Sequence, residues 1–140
     1  MCGFSGYIGK ELLSQKTIDK TLSLMKRRGP DSFGSSQYSI NNTNVHFLHS
    51  RLTIIDDDPR SNQPMEIDRY SLIFNGEIYN FKKLASLLSD NEIINSSDTN
   101  LLVELISKFG VEFTLKKIQG MYSISIFDKK NNFLYLARDF

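Results

Sequence analysis

The sequence predicts an α+β fold in which most strands pair in antiparallel fashion. Candidate strands come first, helices follow in the middle of the chain, and strands return at its end. This order differs from the regular alternation of strand and helix that builds a parallel sheet. The 140 residues, of which 40% are hydrophobic and 24% charged, are typical of one globular domain with a sizeable core.

The first half of the chain combines one helix with three strands. Ile18, Leu22 and Met25 recur at spacings of four and three residues, which is the helical period. Gly29 and Pro30 then end the helix, and apolar runs bounded by polar turns indicate the strands. The predicted elements are a strand over residues 2–8, a helix over 17–27, strands over 37–40 and 45–50 joined by a polar turn at 41–44, and a polar loop over 56–64.

The second half holds the remaining strands and helices. Residues 121–128 alternate between apolar and mostly serine positions, which is the period of a half-buried strand. Asparagine, serine and aspartate are residue types that begin helices. We predict a strand over 70–74 that ends in an Asn75-Gly76 turn, a helix capped by Asn80 with Phe81, Leu84, Leu87 and Leu88 on one face, a helix capped by Ser97 or Asp98 that stops at Gly110, a short helix near 112–117, and a hairpin of strands 121–128 and 133–138.

Charge and cysteine content exclude several classes of protein. The net charge is only +1, from 17 basic and 16 acidic residues, so we expect no nucleic-acid partner and no membrane partner. A single cysteine, Cys2, rules out a disulfide within the chain and a Cys-rich zinc site, and we expect no bound metal. The N-terminal residues do not resemble a secretory signal, so we expect a reducing, cytoplasmic compartment.

Cys2 is the first candidate for chemistry. If the initiator Met1 is removed, Cys2 becomes the N-terminal residue and carries a thiol and an α-amine a few bonds apart. A free α-amine has an ordinary pKa of about 8, so near neutral pH part of it can take up the thiol proton. One residue then supplies both nucleophile and base. The alternative is an incidental small residue at position two.

Further patterns have both a chemical and a structural interpretation. The Asn75 amide beside the Gly76 backbone N–H can donate to an oxyanion, or the pair is a simple turn. Arg51 can hold a carboxylate through two parallel hydrogen bonds, or it is a structural ion-pair residue. Asp98 is a helix cap or a receptor for a substrate ammonium. Residues 28–31 are most simply a helix stop and turn.

The order and spacing of the motifs along the chain resemble those of one known family. The motifs are Cys2-Gly3, Arg28-Gly29-Pro30-Asp31, residues 49–56, Asn62-Gln63-Pro64, residues 75–80, Ser97-Asp98, Gly120-Met121 and Ala137-Arg138-Asp139. Together they closely resemble the glutaminase domain of asparagine synthetases. That domain belongs to the class II glutamine amidotransferases, in the N-terminal-nucleophile hydrolase superfamily. The resemblance extends over essentially the whole chain, residues 1–140.

The resemblance implies a four-layer αββα fold, with two antiparallel sheets between helical layers, and hydrolysis of L-glutamine to glutamate and ammonia. It implies that Cys2 is the nucleophile, its α-amine the base, and Asn75 and Gly76 the oxyanion hole. Arg51 would bind the α-carboxylate of glutamine and Asp98 its α-ammonium. The implied glutamine-binding residues are Arg51, Leu52, Thr53, Ile54, Ile55, Asn75, Gly76, Glu77 and Asp98.

The family's domain continues beyond the Ala-Arg-Asp motif with further strands and a synthetase domain, so we expect this fold to be incomplete at its C-terminal end. We expect no cofactor here, because ATP and magnesium would belong to the synthetase domain. The expected partners are L-glutamine and a synthetase domain or chain that receives the ammonia, together with self-association through an exposed strand edge. The alternative is a non-catalytic fragment or interaction partner that needs the missing strands or a second chain. The acceptor of the ammonia stays open.

Overall fold

The computed structural model describes residues 2–53, 61–88 and 97–140. Seven strands and four helices lie within these ranges. In chain order they are β1 (Gly3–Gly9), α1 (Gln15–Met25), β2 (Ser32–Ile40), β3 (Thr43–Arg51), β4 (Met65–Ile67), β5 (Tyr70–Ile78), α2 (Phe81–Ala85), α3 (Asp98–Phe109), α4 (Val111–Lys117), β6 (Gly120–Asp128) and β7 (Phe133–Arg138).

The strands of these ranges form two sheets in which all neighbours are antiparallel. The first sheet has the order β1-β3-β2 and the second the order β4-β5-β6-β7. In the first sheet, Asn41 and Asn42 connect the paired residues Ile40 and Thr43 and have φ values of 47° and 63°. Two successive positive φ values define a type I′ hairpin turn, which asparagine tolerates better than most residues.

The larger core lies between the second sheet and helices α2, α3 and α4. Side chains alternate across a strand, and Leu72 and Phe74 of β5 face the helices together with Ile124 and Ile126 of β6. The helices contribute Leu84, Ala85, Leu101, Leu102, Leu105, Ile106 and Val111. Each fully buried aliphatic side chain of this size contributes about 1.5–3 kcal/mol, so this core holds β5 and α3 in a fixed relation.

The smaller core lies between the two sheets. Ile73 of β5 points away from the helices and packs with Val45 and Phe47 of β3. On the outer face of the first sheet, Ser50 Oγ donates to the carbonyl of Met25 at the end of α1, at 3.2 Å. The layers therefore run helix, sheet, sheet, helix, which confirms the predicted αββα arrangement.

Most predicted elements are confirmed. β1, α1, β3, α3, α4, β6 and β7 begin and end within two residues of the predicted positions. The caps explain why α3 lies where the sequence predicts. Ser97 Oγ accepts the N–H of Asn100 at 3.3 Å, and Gly110 takes a φ of 84° past the last turn, a conformation that favours glycine.

The predicted turn at Asn75-Gly76 is wrong. β5 continues through both residues to Ile78, with Asn75 opposite Ser123 and Gly76 opposite Tyr122 on β6. A Cβ atom at Gly76 would lie 2.3 Å from the Met121 carbonyl oxygen. The glycine therefore permits close contact between two strands. In the sequence, a glycine needed for such a contact cannot be distinguished from a glycine needed for a turn.

Other boundaries also differ from the prediction. β2 begins at Ser32, five residues before the predicted start, and the three-residue strand β4 was not predicted. Helix α2 ends at Ala85, so Leu87 is 42% exposed rather than on a buried helix face. Asn80 precedes α2 but makes no side-chain cap. The predicted loop over 56–64 lies mostly outside the described residues. None of the helices described is both long and apolar enough to cross a membrane.

Candidate active site

Cys2 lies at one end of the first sheet. Gly3 pairs with Ser50, so Cys2 lies next to the end of β3. Its partly exposed Sγ accepts the N–H of Leu52 at 3.4 Å and is 3.8 Å from the Leu52 carbonyl oxygen. Arg28 Nε donates to the Cys2 carbonyl at 3.2 Å. These contacts hold the thiol beside the backbone that follows β3.

The turn after α1 organises the same backbone. A Cβ at Gly29 would lie 2.3 Å from the Ser50 carbonyl oxygen, so only glycine fits this approach. The Asp31 N–H donates to the Arg51 carbonyl at 3.0 Å, and Asp31 Oδ2 accepts the Thr53 N–H at 2.6 Å. The simplest interpretation of residues 28–31, a helix stop, missed this role in shaping the end of β3.

The far edge of β5 presents a row of backbone donors. In an antiparallel strand alternate residues point their N–H groups to opposite sides. The Tyr79 N–H points toward β6 and donates to the carbonyl oxygen of Gln119, the residue before that strand, at 2.8 Å. The N–H groups of Phe74, Gly76 and Ile78 therefore point the other way, beyond the end of the short strand β4.

Two of these three donors are occupied. Phe74 N–H donates to Gln63 Oε1 at 2.5 Å, and Ile78 N–H donates to Asp98 Oδ2 at 2.7 Å. The Gly76 N–H between them has no partner among the residues that the structure describes. The Gly76 N–H is therefore a free hydrogen-bond donor on a strand edge whose neighbouring donors, Phe74 and Ile78, are both hydrogen-bonded.

The Asn75 side chain lies on the other face of β5. Residues of odd number on this strand face the first sheet, as Ile73 does in the smaller core, and that sheet carries Cys2. Asn75 is half-buried, and its amide makes no hydrogen bond within the described ranges. Asn75 and Gly76 thus offer two uncommitted donors next to each other, the kind of arrangement that stabilises an oxyanion.

Asp98 is the first residue of α3. Oδ2 is used by Ile78 N–H, and Oδ1 has no partner in the part of the chain described here. Burial raises the pKa of the Asp98 carboxyl, the charge of the nearby exposed Glu77 adds to the rise, and the Ile78 hydrogen bond opposes it. A half-buried carboxylate with one free oxygen suits a cationic ligand.

Arg51 is a buried cation at the end of β3, with 8% of its surface exposed. Its Nη1 donates to Asn62 Oδ1 at 2.7 Å, and the same oxygen accepts from Ser32 Oγ at 3.0 Å. Beside it, His49 is fully buried, and burial lowers the pKa of His49 to about 4, with the Arg51 charge contributing in the same direction. His49 is therefore neutral at physiological pH and does not add to the positive charge of Arg51.

Three further predicted pocket residues lie within the described ranges. Leu52 and Thr53 are half-buried directly after β3, and Glu77 is exposed on β5. Ile54 and Ile55 lie outside the described residues.

Residues 61–63 connect the end of β3, which carries Arg51, to the start of α3, which carries Asp98. Sequence reasoning did not assign these residues a role. Asn62 contacts Arg51, and Ser61 Oγ lies 2.7 Å from Ser97 Oγ at the start of α3. Gln63 is 6% exposed. The sequence signal was the Asn62-Gln63-Pro64 motif, which carried part of the family resemblance but lies in a polar segment that looks the same as an exposed loop.

The site does not coincide with the opening between the sheets. That opening, of about 240 Å³, is lined by Ile40, Asn41 and Thr43 at the β2–β3 turn and by Asn132 and Leu134 near the β6–β7 turn. These turns lie at the opposite end of the sheets from Cys2. Within the described ranges no group of three or more His, Cys, Asp or Glu residues could hold a metal ion.

Comparison with known proteins identifies relatives of the whole chain. An asparagine synthetase [glutamine-hydrolyzing] 2, named as putative, from Methanocaldococcus jannaschii is 34% identical over 99% of this chain and 30% of its own length. Asparagine synthetase [glutamine-hydrolyzing] 3 of Bacillus subtilis is 31% identical over 99% of the chain and 23% of its own length. Amidase chry2 of Gibberella zeae is 27% identical over 99% of the chain and 22% of its own length.

The chain thus spans less than a third of the length of these relatives. The family model described as a glutamine amidotransferase domain matches residues 1–140, which is every residue of the sequence. The chain belongs to the glutamine amidotransferase domain family.

Proposed function

We propose that this chain hydrolyses L-glutamine to glutamate and ammonia, with Cys2 as the nucleophile after removal of Met1. The observation that carries the proposal is the pair of uncommitted donors at Asn75 and Gly76, on a strand edge anchored by Asp98. The family membership and the names of the relatives, which contain the words glutamine-hydrolyzing, support the same reaction.

The proposed reaction needs only groups of this chain and water. The Cys2 α-amine takes the thiol proton, and the thiolate attacks the side-chain amide carbon of glutamine, forming a C–S bond. The carbonyl oxygen becomes an oxyanion that accepts hydrogen bonds from the Asn75 amide and the Gly76 N–H. The intermediate collapses, and the C–N bond breaks as the ammonium of Cys2 returns a proton to the leaving ammonia. Water then hydrolyses the thioester to glutamate and free thiol.

Recognition of glutamine is proposed to depend on the two charged residues. A free amino acid carries an ammonium and a carboxylate on one carbon atom, so its site needs one anion and one cation. Arg51 offers a planar guanidinium that can bind a carboxylate at two points, and Asp98 offers a free carboxylate oxygen for the ammonium. The backbone of residues 52–55 and the Glu77 region would line the space between them.

The ammonia is proposed to pass to a synthetase domain or chain. The relatives named asparagine synthetase support an asparagine synthetase-like system as the setting, with aspartate as one candidate acceptor. A reducing, cytoplasmic compartment stays the proposed location. ATP and magnesium would act in that synthetase unit.

The test combines intact mass with a glutaminase assay. We expect the purified chain to lack Met1 and to release ammonia and glutamate in equal amounts from glutamine. Cys2→Ala should abolish the release without loss of fold, because the side chain packs little apolar surface. Cys2→Ser should also be poor, since a hydroxyl is much harder to deprotonate than a thiol. Retention of Met1, or ammonia release by Cys2→Ala at the parent rate, would overturn the proposal.

A further inference from the structure

We infer that Gln63 is a positioning residue that fixes the oxyanion-hole strand to the helix that carries Asp98. The inference rests on the proposed function and adds a residue to which neither the sequence motifs nor the family resemblance assigns a role. Gln63 lies before β4, is 6% exposed, and uses both ends of its carboxamide.

The carbonyl oxygen of the Gln63 carboxamide replaces a backbone hydrogen bond that β4 does not make with β5. Met65 of β4 pairs with Leu72 of β5, so a continued register would place Gln63 opposite Phe74. The Gln63 backbone instead lies against β2, where a Cβ added to Gly34 would be 2.0 Å from the Gln63 carbonyl oxygen. Phe74 N–H is left without a backbone acceptor, and the Gln63 side chain supplies one through Oε1 at 2.5 Å.

The amide nitrogen of the same carboxamide contacts helix α3. Gln63 Nε2 donates to Thr99 Oγ1 at 3.2 Å, and this hydrogen bond is buried. Thr99 is adjacent to Asp98, just as Phe74 is adjacent to Asn75. One carboxamide therefore joins the residue before the proposed oxyanion hole to the residue after the proposed ammonium receptor.

This connection sets the geometry that catalysis requires. The Gly76 N–H lies midway between two anchored donors, one held by Gln63 and the other by Asp98. Without the Gln63 hydrogen bond, the buried Phe74 N–H has no acceptor, which is costly. We therefore expect this edge of β5 to move toward another acceptor. A displacement of about 1 Å at reacting groups can cost about a hundredfold in rate. Gln63 itself contacts no reacting atom.

The variants separate positioning from folding. Gln63→Met keeps the length of the side chain and removes both hydrogen bonds. Thr99→Val removes only the acceptor on α3, and Thr99→Ser restores the hydroxyl as a matched control. Alkylation of Cys2 by iodoacetamide, followed by mass spectrometry, reports the accessibility and reactivity of the thiol without requiring an oxyanion hole, and thermal unfolding of each variant reports the fold.

We expect Gln63→Met to lower kcat for glutamine by about tenfold to a hundredfold, with a smaller change in KM. This is at or below the cost of about a hundredfold to a thousandfold for outright loss of an oxyanion donor, because the donor is displaced and not removed. Cys2 alkylation should stay at the parent rate. Thr99→Val should lower kcat in the same direction, Thr99→Ser should retain parent kcat, and the Gln63→Met/Thr99→Val double variant should be no worse than Gln63→Met.

Several outcomes would overturn the inference. A Gln63→Met kcat close to that of the parent would do so, and so would additive losses in the double variant. A kcat loss matched by an equal loss of alkylation would show a structural role only. If Gln63→Met does not fold, Thr99→Val against Thr99→Ser decides, since equal kcat in these two contradicts the inference. A parent chain that is alkylated at Cys2 but never releases ammonia would contradict the proposed function instead.

Discussion

Asp98 Oδ2 accepts the backbone N–H of Ile78 at 2.7 Å. The bond joins the first residue of α3 to the last residue of β5, and it leaves Oδ1 without a partner in the described part of the chain. A helix-starting aspartate commonly accepts the N–H of its own first turn. Here Ser97 performs that function through Asn100, so Asp98 can act between the helix and the strand.

Replacement of Asp98 tests its charge and its pKa. Asp98→Asn keeps an acceptor for Ile78 but removes the anion, so we expect KM for glutamine to rise about tenfold or more, as for loss of a charged hydrogen bond. Because the pKa of Asp98 is raised, the parent KM should rise as pH falls through that raised value. The KM of the variant should stay high and independent of pH, and a parallel pH profile in both proteins would contradict this.

The same pKa shift predicts the direction of a stability change. A raised pKa in the folded state means that folding favours the protonated carboxyl, so the Asp98 contribution to stability falls as pH rises through the raised pKa. Asp98→Asn should therefore melt no lower than the parent at neutral pH. The difference in melting temperature between the two proteins should narrow at a pH below the ordinary aspartate pKa, because the Asp98 carboxyl is then protonated in both the folded and the unfolded state. Thermal unfolding at several pH values measures this.

Arg51→Lys tests planar recognition of a carboxylate. Lysine keeps the charge but cannot make two parallel hydrogen bonds. Loss of one charge-assisted hydrogen bond, about 1.5–3 kcal/mol, should weaken glutamine binding roughly ten- to a hundredfold. Arg27→Lys is the matched control, because Arg27 is exposed on the surface. Unchanged KM and kcat in Arg51→Lys would identify Arg51 as a structural residue, held by Asn62.

Gly76→Ala tests the close approach of β5 and β6. The new Cβ would lie 2.3 Å from the Met121 carbonyl oxygen, so the strands must separate, at a cost of about 1–3 kcal/mol. We expect a lower melting temperature together with loss of glutamine hydrolysis. Gly6→Ala on β1 is the control, since its Cβ would lie 3.4 Å from the nearest atom. Equal melting temperatures for the two variants would contradict the strand-contact explanation.

Leu136→Lys tests self-association. β7 is the last strand of its sheet in the described chain, and Leu136 on it is 72% exposed. An apolar edge strand pairs readily with another chain, and a lysine on the edge opposes this. We expect the parent to sediment as larger species at high concentration and Leu136→Lys to remain smaller. Leu24→Lys on α1, also at a position 72% exposed, should behave as the parent does. A monomeric parent at every concentration would contradict the prediction.

Local patterns were sufficient for most of the fold. The helical spacing of Ile18, Leu22 and Met25, the Ser97 cap and the alternation along β6 each depend on neighbours in sequence, and each predicted its element within two residues. The local pattern Asn75-Gly76 wrongly predicted a turn. The glycine is required there because the backbone of β5 packs closely against Met121 of β6, a strand distant in sequence.

Most of the elements and the α+β class could be predicted from the sequence, because caps and periodicity are local properties. The order of the motifs carried the resemblance that implies the αββα layers and the roles of the candidate site residues, and those roles stay predictions. Which backbone donors stay open depends on the tertiary structure. Gly76 N–H is uncommitted because Gln63 and Asp98, 13 and 22 residues away in sequence, occupy the donors on either side of it. A hydrogen bond of this kind depends on the register of β4 against β5 and on the packing of α3, which no local pattern encodes.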